Sequence, residues 1–133
     1  MTTPEFTLLG SKRNAPIDSE ELETFPKPEG LYEVEFTTRE LTSLCPITGQ
    51  PDIYTLTVRY TPDALCLEAK SVKLYLHRFR NIGVFAEELA VVIAQDLQRA
   101  CGATTVSVEA AQQVRGGLSF TARASAGPRG DDV

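Results

Sequence analysis

Histidine is nearly absent from this chain: His77 is the only one in 133 residues, and cysteine occurs at just three positions. A structural zinc site needs three or four ligands. One imidazole and dispersed thiols do not supply that set, so no metal is expected. Cys45, Cys66 and Cys101 are odd in number and widely spaced, which is not a disulfide framework. The reducing cytoplasm is the expected compartment. Long apolar runs are also missing: none approaches the ~18 residues of a membrane-crossing helix, so no membrane partner is expected. The start, MTTPEFTLLGSKRNAPIDSEE, lacks a charged segment followed by an apolar one, so no secretory signal is expected. Positive charge is scarce, with 13 Lys and Arg against 18 Asp and Glu and a net charge of −5. That balance argues against indiscriminate nucleic-acid binding.

What is present is an ordinary globular composition, 42% apolar and 23% charged, in a length suited to one domain. Residues 1–29 mix Pro, Ser, Glu and Lys without periodicity and read as an extended lead-in. Residues 30–123 form the expected single folded domain, and 124–133, ASAGPRGDDV, a flexible tail. Tyr32, Val34 and Phe36 alternate with Glu33 and Glu35 as in a half-buried strand. Tyr54, Leu56, Val58 and Tyr60 repeat the pattern, and ALCLEA after the Pro62-Asp63 turn reads as a short pairing or edge segment. Leu74, Leu76 and Phe79 fit a short helix. Leu89, Val92, Ile93, Leu97 and Ala100 form the stripe of an amphipathic helix that Gly102 can stop. TTVSVEA and GLSFTA alternate again around an Arg115-Gly116-Gly117 turn. Strands, helices, strands predict an α+β fold, an antiparallel sheet with helices on one face.

Two stretches carry chemistry. In SLCPITGQPD, Pro46, Gly49 and Pro51 dictate backbone shape, so Cys45 and Asp52 share an ordered turn between two strands. Such a cysteine is either a small hydrophobe or a nucleophile; Cys66 and Cys101 read as core. A phosphatase-type loop would need arginine where Pro51 stands, and a Cys-His hydrolase would need His77 beside Cys45. In LEAKSVKLYLHRFRN, Lys70 and Lys73 share a helix face and can converge on phosphates, or simply face solvent. Glu68 and Glu87 stand where elements start, positions that favour an acid.

CPITGQPD, LEAKSVKLYL and FRNIGVFAEE occur in the order and at about the spacing of the QueF family, the nitrile reductases of queuosine biosynthesis. The chain resembles the short, single-unit form of that family over about residues 30–120. The resemblance implies the tunnelling fold, a β-β-α-α-β-β unit assembled as stacked rings, a decamer, with sites between subunits. It implies reduction of 7-cyano-7-deazaguanine by NADPH through a thioimide on Cys45, with Asp52 as proton donor. Lys70, Ser71 and Lys73 match the NADPH motif. Leu67, Glu68 and Ala69 fall where the family lines the substrate pocket; Phe85, Ala86 and Glu87 fall at the base, with Glu87 as its hydrogen-bonding acid. The family usually carries histidine at position 86 and Ser or Leu at 69. Ala86 removes a polar group, which bears on rate more than on reaction class, and His77 from a neighbouring subunit is a conceivable substitute. Two alternatives stand beside this reading. One is the related amidine-forming enzyme of archaeosine synthesis, which lacks the NADPH motif. The other is a non-catalytic purine-binding protein of the same fold.

Overall fold

The computed structural model describes residues 15–128. Its elements are β1 (Thr24–Pro26), β2 (Val34–Leu44), β3 (Pro51–Thr61), β4 (Leu65–Leu67), α1 (Ala69–His77), α2 (Ala86–Cys101), β5 (Thr105–Arg115) and β6 (Leu118–Ala126). Strands β2, β3, β5 and β6 pair in that order as one antiparallel sheet, while β1 and β4 form a separate two-stranded sheet. No helix among the described residues is long and apolar enough to cross a membrane.

Alternation places the core. On β3, Tyr54, Leu56, Val58 and Tyr60 are each at most 2% exposed, and they share the buried layer with Leu89, Ile93 and Leu97 of α2. Val106, Val108 and Ala110 of β5 continue that layer. The opposite sheet face is polar, with exposed Arg59–Glu35 and Arg123–Glu109 ion pairs at 2.5 and 2.7 Å. Exposed pairs of this kind contribute about 0–1 kcal/mol, against about 1.5–3 kcal/mol for each large side chain fully buried. Burial therefore decides which face the helices cover. The tyrosine hydroxyl of Tyr75 in α1 donates to Asp96 Oδ2 of α2 at 2.6 Å and ties the helices together. Gly102 adopts φ 66°, and its N–H reaches Gln98 O at 2.7 Å, which stops α2 as expected.

Several boundaries differ from the sequence reading. Tyr32 is 79% exposed because strand pairing begins only at Val34, opposite Tyr60. The described part of the expected lead-in is docked: Ile17 is buried, its N–H reaches Leu74 O at 3.3 Å, and Thr24–Pro26 pairs with Leu65–Leu67. β6 runs past residue 123, since Ala124 and Ser125 still pair with β5 and Ala126 is buried opposite Val106. Residues 1–14 and 129–133 lie outside the described residues.

One irregularity positions the site. The β2–β3 register shifts between Thr38 and Leu41, inserting one extra residue in β2. Val34, Phe36 and Thr38 pair with the inward residues Tyr60, Val58 and Leu56; beyond the bulge Leu41 and Ser43 pair with Tyr54 and Asp52 instead. A bulge exchanges which alternate residues face inward. Ser43 thereby turns into the protein opposite Asp52, and Leu44 leads directly into Cys45.

Candidate active site

The Cys45 turn is closed by its own backbone. Cys45 N–H donates to Gln50 O and Gly49 N–H donates to Cys45 O, both at 2.8 Å. Gly49 has φ 72°, a left-handed conformation that glycine adopts without strain. Thr48 Oγ1 accepts from Gln50 N–H at 3.2 Å. The Cys45 thiol is held below its ordinary value, first by the Thr48 hydroxyl and then by the backbone N–H groups of Thr48 and Ile47; partial burial and then the Asp52 charge push the other way. Hydrogen bonds to a thiolate favour the nucleophilic form. The hydroxyl can be tested: Thr48→Ala should move the pH midpoint of Cys45 alkylation by iodoacetamide upward and slow the reaction at neutral pH, whereas Thr48→Ser should not. An unchanged midpoint in Thr48→Ala would assign the effect to the backbone alone.

Asp52 is the second residue of β3 and belongs to its inward phase, with its side chain only 8% exposed. Arg115 Nη2 lies 2.6 Å from Asp52 Oδ1, and Gln112 Nε2 donates to the same oxygen at 3.3 Å. Beside them are the hydroxyls of Ser43 and Tyr54, both buried and neither completing a hydrogen bond. The Tyr54 phenol is pushed up chiefly by burial, opposed by the nearby Ser43 hydroxyl and raised further by the charges of Asp52 and Glu87.

A third segment joins this end of the sheet. Leu44 N–H donates to Ile82 O at 2.9 Å and Val84 N–H donates to Leu44 O at 3.0 Å, a parallel bridge centred on Gly83. It delivers Phe85, Ala86 and Glu87 next to the Cys45 turn. Phe85 is 53% exposed at the N-cap of α2, and Glu87 is exposed in its first turn, where the helix dipole favours an acid. Ala86 is 4% exposed, so position 86 faces the core in this chain.

The remaining expected residues are elsewhere. Leu67 N–H donates to Tyr60 Oη at 3.0 Å, at the far end of β3. Eight strand positions separate Tyr60 from Asp52, roughly 25 Å. Glu68 is the buried N-cap of α1: Oε2 accepts from Lys70 N–H at 2.7 Å and Oε1 from Ser71 N–H at 2.8 Å. The Ser71 hydroxyl is buried as well, donating to Glu68 O at 2.8 Å and accepting from Glu23 N–H at 3.1 Å. Ala69 and Lys73 border a groove of about 440 Å³ between α1 and β2, lined also by Phe36, Leu41 and Leu76. His77 opens onto the same groove rather than onto Cys45; burial holds its imidazole below the ordinary value, aided by Arg80 and Lys73 and opposed by Glu40.

One chain therefore brings together Cys45, Asp52, Phe85, Ala86 and Glu87, while Leu67 lies at the Tyr60 end of β3 and Lys73 lies along the groove beside β2. Ser43, Tyr54, Gln112 and Arg115 were missed as site residues. Tyr54 was legible as a neighbour of Asp52 on one face; Arg115 was legible only as part of a turn.

A family model described as QueF-like protein matches residues 51–130. The NADPH-dependent 7-cyano-7-deazaguanine reductase of Thermomicrobium roseum is 49% identical over 102 residues, spanning 75% of this chain and 80% of that protein. That of Syntrophus aciditrophicus is 44% identical over 129 residues, 92% of this chain and 90% of that protein. The crystal structure of the archaeosine synthase QueF-Like in the apo form aligns with TM-score 0.69 and 25% identity, covering 74% of this chain and 97% of that one. The expected tunnelling fold is thus the fold observed. With the family model matched over more than half of its length and relatives this similar across most of it, the chain belongs to the QueF family.

Proposed function

We propose that this protein reduces the nitrile of 7-cyano-7-deazaguanine to an aminomethyl group with NADPH, through a thioimide on Cys45. One observation carries the reading: a thiol held below its ordinary value in a closed turn that leads directly to the buried carboxyl of Asp52. A nitrile carbon is a poor hydride acceptor. Addition of the Cys45 thiolate forms a C–S bond and breaks one C–N π bond, whose electron pair moves to nitrogen. Asp52 takes up the proton that the Cys45 thiol gives up and passes it to that nitrogen. Glu87 hydrogen-bonds the edge of the base, and exposed Phe85 offers it an apolar face. Pro46, Gly49 and Pro51 hold nucleophile and acid in register.

NADPH, when bound, supplies the hydride equivalents. The residues at the start of α1 fit such a group: Lys70 and Lys73 are three apart on α1 and Lys73 borders the groove, so their ammonium groups can neutralise phosphates. Glu68 and Ser71 build the cap that presents them, and Leu67–Ala69 contribute the pocket wall at that end. Leu67, where this segment begins, stands at the Tyr60 end of β3, roughly 25 Å along the strand from Asp52 within one chain. A complete site then draws its Cys45 end and its Lys70 end from two copies, as the stacked rings of a homo-oligomer, a decamer, would provide. The exposed apolar residues Ile47 and Phe85 at the Cys45 end suit coverage by a second copy. A nucleophilic thiolate of this kind suits the reducing cytoplasm, the compartment this reading favours.

The test is NADPH consumption with free 7-cyano-7-deazaguanine. Two NADPH should be oxidised per nitrile reduced. The likeness to an archaeosine synthase favours one rival. Capture of ammonia on a tRNA-borne nitrile without NADPH oxidation would establish that amidine-forming reading instead. The shared site has its own test. Cys45→Ala protein and Lys70→Ala/Lys73→Ala protein should each be inactive, and a mixture dissociated and reassembled should regain activity. A mixture as inactive as its parts would place the whole site within one subunit.

A further inference from the structure

Asp52 is buried, and its negative charge opposes the thiolate form of Cys45. What answers that problem comes from the distant β5–β6 hairpin. We propose that Arg115 is a positioning residue that clamps Asp52 at the start of β3 and offsets its charge at Cys45. The inference rests on the roles proposed for Cys45 and Asp52.

A single guanidinium nitrogen of Arg115 makes two contacts, at 2.6 Å to Asp52 Oδ1 and at 2.5 Å to Pro51 O. It therefore holds both the carboxylate and the backbone just before it. Gln112 braces the same carboxylate oxygen at 3.3 Å. Arg115 is half-exposed and Asp52 nearly closed off, so the guanidinium covers the carboxylate from the solvent side. A buried carboxylate without such a partner is costly, and the second contact of the same nitrogen, on Pro51 O, fixes the direction of approach as well as the charge.

The hairpin is built to aim this side chain. Gly116 and Gly117 have φ 56° and 77° and form a two-residue turn between the paired residues Arg115 and Leu118. Between Gln112 and Arg115 the β5–β6 register slips by one residue. Gln112 lies opposite the inward-facing Tyr54, and three residues on a regular strand would put Arg115 on the other face. The extra residue restores it to the Asp52 side.

The consequence is measurable at the thiol without substrate. The Asp52 charge already pushes the Cys45 thiol upward. The other charged or titratable groups at this centre are Arg115, Glu87 and Tyr54. Neutralising Arg115 leaves Asp52 unbalanced, so Arg115→Gln should shift the pH midpoint of Cys45 alkylation by iodoacetamide upward. Arg115→Lys should keep the midpoint nearer the parent value. Adding Asp52→Asn to Arg115→Gln should abolish the upward shift, because the charge being balanced is gone. In the reductase assay Arg115→Gln should lower kcat by ~10²-fold through misplacement of Asp52, with a much smaller change in KM. A stably folded Arg115→Gln protein with parental alkylation midpoint and parental kcat would overturn the proposal. So would a shift that persists after Asp52→Asn. If the parent never reduces the nitrile, the functional reading fails, yet the alkylation experiment still decides the Arg115–Asp52–Cys45 linkage.

Discussion

Replacing Cys45 with alanine should abolish both nitrile reduction and covalent capture of 7-cyano-7-deazaguanine. Incubated with the nitrile and no NADPH, the parent protein should gain one substrate mass per active subunit, located by peptide mapping on Cys45. Cys45→Ala should gain none, and its turnover should fall by more than ~10⁴-fold, since nothing else adds to the nitrile carbon. The substitution removes a half-exposed side chain from a turn closed by backbone hydrogen bonds, so the fold should survive it. The other two thiols do not compensate. Cys66 and Cys101 are buried, and burial pushes both above their ordinary value, toward the inert protonated form. An adduct that persists in Cys45→Ala, or a parent that forms none, disproves the thioimide route.

The second large effect is at Asp52. Asn keeps the shape of the side chain and can still accept from Gln112, but it has no ionisable proton. Reduction should fall by ~10²–10⁴-fold. Affinity for the base should change far less, because Glu87 and Phe85, the groups assigned to the base, are untouched. Calorimetric titration of the nitrile against Asp52→Asn, beside steady-state turnover, separates the two quantities. Near-parental turnover would dismiss Asp52 as the proton donor, and affinity lost in parallel with turnover would make it a substrate ligand instead.

Much of this site was legible because its signals are local. The Cys45 turn announces itself through Pro46, Gly49 and Pro51, and the alternation from Tyr54 to Tyr60 sets which face of β3 is buried. Asp52 is in phase with that alternation, so its inward aim follows from the same count of two. The α2 stripe and the Gly102 stop were equally readable, as each depends on neighbours within a few turns of helix.

Other features depend on pairing between distant segments. Nothing near Thr38 or Gln112 marks a bulge, yet the two bulges turn Ser43 and Arg115 toward Asp52. Tyr32 continued an alternating pattern but found no strand partner. Thr24–Pro26 carried no pattern, but it gained one in Leu65–Leu67. Periodicity fixed by φ and ψ determined the strands and the helices, and Pro and Gly the shape of the Cys45 turn, from sequence alone. Register, bulges and the resulting distances are settled only when the whole sheet closes over its helices. That closure set Arg115 on Asp52 and placed Leu67, just before α1, at the Tyr60 end of β3, away from Asp52.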